Sequence, residues 1–389
     1  AMAAAAAATA APLVLVTGAS GYIAVHITGI LLKAGWRVRG TVRNPDDALK
    51  TAPLRSLPGA ADRLELVKAD LLQPAEDWKP IVAGCDYVLH TASPFPLAAP
   101  KHKSELIEPA VQGATSVIQA CVSTPSVKRA VLTSSCAAIA YGHKEGMGSK
   151  VWTPADWTDA DAPGVGAYVE SKTRAERAAW DVVKAQPEGR KLEFATINPS
   201  LVQGPMLSSA SCASLDLVKQ IILGEMPGLV DVFMNTVDVR DVAEAHVRAM
   251  INAEAPGKRF ILGSTELSLG EISRTIKEEF APLGYTNVTS MQLPNWLVRA
   301  LAWFSSDAAL MAPDLGQRFR VDASETERVL GMRLRDTHAS VLETVASGIR
   351  GGHIPDKTPD GRFTGSGPRA AMPVVETDVS ELTPAHARR

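Results

Sequence analysis

The chain has 389 residues, 46% hydrophobic and 21% charged, enough apolar mass for one large or two modest folded domains. Its 40 basic and 42 acidic residues leave a net charge of −2, so it lacks a broad basic surface, and neither a nucleic acid nor a membrane is expected as a partner. The four cysteines, Cys85, Cys121, Cys136 and Cys212, form no C-x-x-C pair and have no metal-ligand spacing with the histidines; a reduced, cytoplasmic protein without a metal is expected.

Residues 1–11 are Ala-rich but lack the basic start of a signal peptide, and a disordered tail is expected there. Leu13 to Val16 reads as a buried strand. The turn Thr17-Gly18-Ala19-Ser20-Gly21-Tyr22-Ile23-Ala24 follows, and then Ile23, Ile27, Ile30 and Leu31 recur at helical spacing up to Gly35. Strand, glycine turn and helix make the first unit of a dinucleotide-binding fold. Gly18 permits the sharp turn, Gly21 lets backbone N–H groups approach a pyrophosphate, and the helix start offers unpaired donors and a partial positive charge. Thr17, Gly18, Ser20, Gly21, Tyr22 and Ile23 are therefore cofactor-side candidates.

Trp36 to Arg43 reads as a second strand. A cofactor with a free 2′-hydroxyl is usually held by an acid at the end of this strand. Here the end is Thr41-Val42-Arg43-Asn44-Pro45, with no acid before Asp46. Arg43, supported by Arg39 or Lys50, would instead fork onto a 2′-phosphate, which favours NADP (NADPH) over NAD. A third strand, Leu64 to Lys68, runs into Asp70 and Leu71, expected near the adenine. A fourth, Tyr87 to Thr91, runs into Ala92 and Ser93. The tips of parallel strands are where ligands sit, so Thr91, Ala92 and Ser93 are expected to line the cofactor and Phe95 to face substrate. A helix from about Glu105 to Val122 precedes a fifth strand, Ala130 to Thr133, that ends in hydroxyls at Ser134 and Ser135. Six strand-like runs alternate with helices up to Pro199, which predicts an α/β fold with a doubly wound parallel sheet of Rossmann type.

From Leu201 the pattern changes. Asp216 to Leu223 reads as a helix, Thr236 to Val239 as a short strand, Asp241 as the N-cap of a helix from Val242 to Ile251, and Arg259 to Leu262 as a strand. Further helical segments fall near 268–280, 294–304 and 336–349. The expected division is a nucleotide-binding domain over 12–200 with returning segments at about 232–265, a smaller, mostly helical substrate-binding cap over 201–231 and 266–350, and a poorly ordered tail over 351–389. The loop 141–151 is expected to be a mobile segment on the substrate side. Met206, Leu207, Met226, Leu229, Phe233 and Trp296 suit an apolar or aromatic small molecule, with Met206 the substrate-side candidate. Monomer and homodimer are both open.

The chemistry-bearing pattern is Tyr168-Val169-Glu170-Ser171-Lys172. Of five tyrosines only Tyr168 has a lysine four residues on, and one helical turn places both on one face. A free phenol has a pKa near ~10 and is a poor proton donor and acceptor at neutral pH, but a neighbouring ammonium stabilises the phenolate. Such a pair can give a proton to the oxygen of a carbonyl that is being reduced. The strand-end hydroxyls, Ser135 or Ser134, would hold that oxygen.

Together these residues resemble the Ser-Tyr-Lys triad of the extended short-chain dehydrogenase/reductases. Gly40-Thr41-Val42-Arg43-Asn44-Pro45, Pro109-Ala110-Val111-Gln112-Gly113, Ile197-Asn198-Pro199-Ser200-Leu201-Val202-Gln203-Gly204-Pro205 and Val237-Asp238-Val239-Arg240-Asp241-Val242-Ala243 are similar to blocks of its dihydroflavonol reductase-like and yeast-type aldehyde and ketone reductase branch. The resemblance covers roughly 13–349. It implies NADPH-dependent reduction of an aldehyde or ketone, with Ser135, Tyr168 and Lys172 catalytic. It also implies that Tyr168 and Lys172, with Asn198, Pro199, Leu201 and Val202, lie along the cofactor. The N-W-Y-C-Y signature of cinnamoyl-CoA reductases is missing. A nucleotide-sugar epimerase, a hydroxysteroid dehydrogenase and a non-catalytic cofactor-sensing module are the alternatives.

Overall fold

The computed structural model describes residues 11–94, 102–144, 146–208, 210–359, 361–363 and 377–388. The nucleotide-binding half is built from β1 (Leu13–Thr17), α1 (Tyr22–Lys33), β2 (Arg37–Val42), α2 (Ala48–Arg55), β3 (Leu64–Lys68), α3 (Ala75–Val82), β4 (Tyr87–His90), α4 (Ser104–Ser123), β5 (Arg129–Thr133), α5 (Ala167–Lys184) and β6 (Glu193–Pro199). The chain then runs through β7 (Leu201–Gln203), α6 (Ala213–Leu223), β8 (Phe233–Asp238), α7 (Val239–Ile251), β9 (Arg259–Leu262), β10 (Thr265–Ser268), α8 (Leu269–Phe280), α9 (Asn295–Leu301) and α10 (His338–Arg350).

Seven parallel strands form the main sheet in the order β9-β6-β5-β4-β1-β2-β3. The order reverses between β1 and its two neighbours, β2 and β4, the place where such sheets open a ligand crevice. Residues of each strand alternate between two apolar layers. Val14, Val16 and Val131 pack on one side with Ile27, Leu31 and Val242, whereas Leu13, Leu15 and Leu132 pack on the other with Trp78, Val117 and Ile118. Both faces are covered by helices, which is why these strands read as unbroken apolar runs.

The returning segment divides. β8 leaves the main sheet and pairs with β7 and β10 in a separate three-stranded sheet; α7 packs on α1; β9 adds the seventh strand beside β6. The cap has its own core, in which Val218, Ile221 and Ile222 of α6 meet Ile272, Ile276 and Phe280 of α8 and Val341 and Val345 of α10.

Two expectations are corrected. Asp238, not Asp241, caps α7 by accepting from the Arg240 N–H; the helix starts three residues before the expected point, and Asp241 is buried within it, paired with Arg335. Residues 377–388 are docked, although the composition of 351–389 predicts poor order. Leu382 is fully buried in the cluster containing Trp36, and its carbonyl accepts from the Trp36 indole at 2.6 Å. Val379 and Ala387 pack against the same cluster and Glu381 lies 3.5 Å from Arg248, contacts that average composition does not encode.

Three histidines are buried and neutral. His90 Nε2–H donates to the Gly113 carbonyl, so its Nδ1 accepts from the Thr17 hydroxyl at 2.7 Å. His246 Nδ1–H donates to the Val242 carbonyl, so its Nε2 accepts from the Thr133 hydroxyl at 2.6 Å. His26 Nε2–H donates to the Pro205 carbonyl. Burial holds each ring at about 4, below the ordinary 6.5. The unfolded chain therefore binds protons that the folded chain refuses, and stability present above pH 6.5 is lost as pH falls toward 4. Between pH 7.5 and 5 this amounts to about 2 kcal/mol per histidine and a fall in Tm of roughly 5–10 °C. A Tm unchanged over that range would contradict the neutral assignments.

Candidate functional site

The strand ends of the main sheet assemble the site. Thr17, at the end of β1, stitches it to the end of β4: its hydroxyl accepts from the Thr91 and Ala92 N–H groups, both at 3.1 Å, and donates to His90. That stitch brings Ala92 against the glycine turn. Gly18 has φ +63°, and a Cβ there would stand 3.1 Å from the Ala92 Cβ, so the position needs glycine for both backbone and space. The Gly18 N–H donates to the Thr41 hydroxyl and the Ala19 N–H to the Thr41 carbonyl, which ties the turn to β2. Gly21 opens α1 without any capping side chain, leaving the helix start to an anion. This bare start and a turn that a side chain would fill fit a dinucleotide pyrophosphate. Of the other candidates in this stretch, Ile23 packs its side chain on the core and Tyr22 donates its hydroxyl to the Gly204 carbonyl, so only their backbone faces the turn.

Arg43 stands exposed directly after β2, and among the described residues no carboxylate pairs with it. Lys50 lies in α2, 3.6 Å from Asp47. Arg39 does not support Arg43. It lies opposite Glu65 across β2 and β3, pairs with it at 3.0 Å, and donates to the Ile81 and Ala83 carbonyls, three residues back from the strand end. Asp70 accepts from the Leu72 N–H just beyond β3, and Leu71 packs into the space left by Gly113 of α4.

Three hydroxyls follow one another at the end of β5, and the structure separates them. Thr133 is committed to His246. Ser134 is buried and donates to Glu176 at 2.5 Å. Ser135 is half-buried; its oxygen accepts from the Ala137 N–H, and its own proton is still available to a ligand. Ser135 is therefore the better candidate of the pair left open by the sequence. Tyr168 and Lys172 lie on the first turns of α5. Lys172 Nζ is 5.8 Å from the centre of the Tyr168 ring and 3.0 Å from the Ser93 hydroxyl, and Tyr168 is 47% exposed, accessible to a ligand. A narrow crevice open to solvent is lined by His90, Ala92, Ser93, Thr133, Ser134 and Lys172.

Beneath the crevice lies a network that reading the sequence missed. Glu176, one turn beyond Lys172, has no access to water and pairs with Arg259 of β9 at 2.6 Å. It also accepts from Ser134, Thr196 and the Asn198 amide. Asn198 donates in turn to the Ser135 carbonyl at 3.2 Å, so its side chain serves the network; Pro199 beyond it is buried, and Leu201 and Val202 are half-buried. Arg259 donates to the Pro154, Asp156 and Ala138 carbonyls and stacks 3.7 Å over Trp157. The signal was present: a glutamate between Ala175 and Ala179 sits on the apolar face of its helix.

On the other side of Tyr168, the loop expected to be mobile is tied to the cap. The Gly148 N–H donates to Gln317, Val151 pairs with Arg320, and the Tyr141 ring lies 6.0 Å from the Phe319 ring. Burial raises the Asp314 carboxyl, and burial together with the neighbouring Asp314 charge raises the Tyr141 phenol. Met206 packs its side chain against the cap core, 3.9 Å from Cys212. Phe95 lies outside the described residues. Cys136 is buried, its thiol pushed up to about 12 by burial, which makes it inert. Among the described residues no cluster of side chains is placed to hold a metal, and no helix is long and apolar enough to cross a membrane.

Breaking the buried pair leaves an uncompensated cation. Glu176→Gln is expected to lower unfolding stability by about 3–5 kcal/mol, and Arg259→Met in the same chain to recover part of that loss. Denaturant unfolding of the two variants checks this; a loss under about 1 kcal/mol for Glu176→Gln would contradict the pairing.

The profile of the NAD dependent epimerase/dehydratase family matches residues 14–263, from β1 to the end of β9. Cinnamoyl-CoA reductase CAD2 of Medicago truncatula is 40% identical over 272 residues, 69% of this chain and 81% of that protein. An anthocyanidin reductase of Vitis vinifera is 32% identical over 277 residues, 68% of this chain and 80% of that protein. Among solved structures, yeast methylglyoxal/isovaleraldehyde reductase Gre2 complexed with NADPH superposes with a TM-score of 0.72 at 26% identity, covering 88% of this chain and 99% of that one. The glycine turn, the seven-stranded sheet and these matches agree: the chain belongs to the NAD-dependent epimerase/dehydratase family, the extended short-chain dehydrogenase/reductases, and is an NAD(P)-dependent reductase.

Proposed function

We propose that the protein reduces an aldehyde or ketone to the alcohol with NADPH, and that Ser135, Tyr168 and Lys172 carry the reaction. The observation that carries this reading is the exposed phenol of Tyr168 beside the Lys172 ammonium, with Lys172 itself lining the crevice at the strand ends. The bound reduced nicotinamide supplies a hydride to carbon. Ser135 donates a hydrogen bond to the substrate oxygen and orients it. Tyr168 gives its proton to that oxygen as negative charge develops there. Lys172 is held at its place by Ser93 and favours the phenolate left on Tyr168. Arg43 meets the 2′-phosphate at the end of β2, and the glycine turn with the start of α1 takes the pyrophosphate.

The substrate is read as an apolar or aromatic carbonyl compound, a reading supported by the apolar character of the cap residues Met206, Leu207, Met226, Leu229, Phe233 and Trp296. A thioester is the second reading, favoured by the 40% identity with a cinnamoyl-CoA reductase and weakened by the missing N-W-Y-C-Y signature. NADPH consumption with aliphatic, aromatic and polyphenolic carbonyls, beside cinnamoyl-CoA, separates the two.

Tyr168→Phe is expected to lower kcat by about 10²–10⁴-fold while NADPH affinity stays within about threefold. Undiminished turnover with intact NADPH binding would overturn the mechanism. Arg43→Ala is expected to weaken NADPH by roughly 10–100-fold and to leave NADH unchanged, as measured by fluorescence titration. Equal affinity of the unmodified chain for both cofactors would remove Arg43 from this role.

A further inference from the structure

Tyr168 is the second residue of α5, and the start of that helix is weakly closed. Gly166 stands at the cap position and has no side chain with which to cap it. The Ser171 hydroxyl donates to the Tyr168 carbonyl at 2.7 Å, but that bond lies within the helix and ties it to nothing else. Helix ends fray, and the nearly half-exposed phenol stands on this first turn.

The tie to the rest of the molecule is made by charge. Lys103 Nζ donates to the carbonyl of buried Val165 at 2.7 Å and to the Glu170 carboxylate at 3.1 Å, so one ammonium bridges the residue two before the helix and the helix's first turn. The other Glu170 oxygen accepts from Arg174 Nε at 2.9 Å, and Arg174 also reaches Asp161, in the loop before α5, at 2.6 Å. The Glu170 side chain is 12% exposed, so its pairs are screened less than ordinary surface pairs. Burial raises its carboxyl, and the bonds from Arg174 and Lys103 outweigh that and hold it below the usual range.

Lys103 is itself fixed. It is the cap residue of α4, and its carbonyl accepts from the Leu106 and Ile107 N–H groups, both at 3.1 Å. Helix α4 packs along α5 and buries Val117 and Ile118 against the sheet. The ammonium thus refers the first turn of α5 to a helix seated on the sheet. Lys172, one turn on, has a tie of its own to the Ser93 hydroxyl. The phenol and the Lys172 ammonium are therefore placed by separate contacts.

We propose that Lys103, acting through Val165 and Glu170, is a positioning residue for the Tyr168 phenol. This rests on the reading of Tyr168 as the proton donor. Without the ammonium the first turn loses its link to α4, and a reacting group misplaced by about 1 Å can cost about 10²-fold in rate.

Single-turnover oxidation of NADPH by the full chain, with the aliphatic, aromatic or polyphenolic carbonyl that is reduced fastest, tests this. Lys103→Met keeps most of the stem and removes the charge. It is expected to lower the rate about tenfold, with NADPH affinity within about twofold and Tm within about 2 °C of the unmodified chain. In a Tyr168→Phe chain, which has no phenol to position, the same substitution is expected to change the residual rate by less than about twofold. Glu170→Gln removes the tie from its other end and is expected to show the same dependence on the phenol, so the proposal stays open to refutation if Lys103→Met folds poorly. A rate for Lys103→Met within about twofold of the unmodified chain, or equal losses with and without the phenol, would overturn the positioning role. Undiminished turnover in Tyr168→Phe alone would instead overturn the proton-donor reading.

Discussion

A carboxylate and a guanidinium with almost no access to water lie under the strand ends, Glu176 of α5 against Arg259 of β9. Removing two charges from water costs several kcal/mol each, and only close geometry with further hydrogen bonds offsets that. Here both groups have such bonds. Glu176 accepts from Ser134, Thr196, Asn198 and Trp180, and Arg259 donates to the Pro154, Asp156 and Ala138 carbonyls. The pair therefore holds together α5, β5, β6, β9 and the loop before α5. Ser134 donates to Glu176 and the Asn198 amide donates to the Ser135 carbonyl, so this interior network fixes the backbone that carries Ser135. Lys172, one turn before Glu176, inherits its position from the same helix.

A second constraint acts at the switch in strand order. The Thr17 hydroxyl has three partners, His90 and the N–H groups of Thr91 and Ala92. It can donate to His90 only because that ring is neutral and gives its own proton to Gly113. The glycine turn and the β4 loop are thereby held edge to edge, close enough that a methyl group at Gly18 would crowd Ala92. The floor of the crevice and its cofactor side are thus set by buried polar groups whose partners are all accounted for, which is what gives a site one geometry rather than several.

Much of this was legible in the sequence, for physical reasons that differ by element. The sheet strands are buried on both faces, so they read as apolar runs. The glycine turn reads because positive φ and close backbone approach admit few other residues. The Tyr168–Lys172 pair reads because helical geometry makes neighbours of residues four apart. Ser135 and Ser134 were not separable, because which hydroxyl is occupied depends on Glu176, 42 residues away in the chain from Ser134. Glu176 itself escaped notice because a charge on a helix usually faces water. The cap of α7 was misplaced because Asp238 and Asp241 are both good capping residues, and only burial of Asp241 against Arg335 decides between them. The docking of Leu382 on Trp36 joins residues 346 positions apart, a contact no local pattern encodes.

The arrangement proposed for the reaction is a substrate oxygen held between the Ser135 hydroxyl and the Tyr168 phenol. A crystal structure of the chain with NADP and an unreactive ketone tests it most directly. The account predicts the ketone oxygen within hydrogen-bonding reach of both hydroxyls, about 2.6–3.2 Å, with the nicotinamide beside Lys172. A ketone oxygen bound away from Tyr168, or a nicotinamide on the far side of the sheet edge, would contradict it.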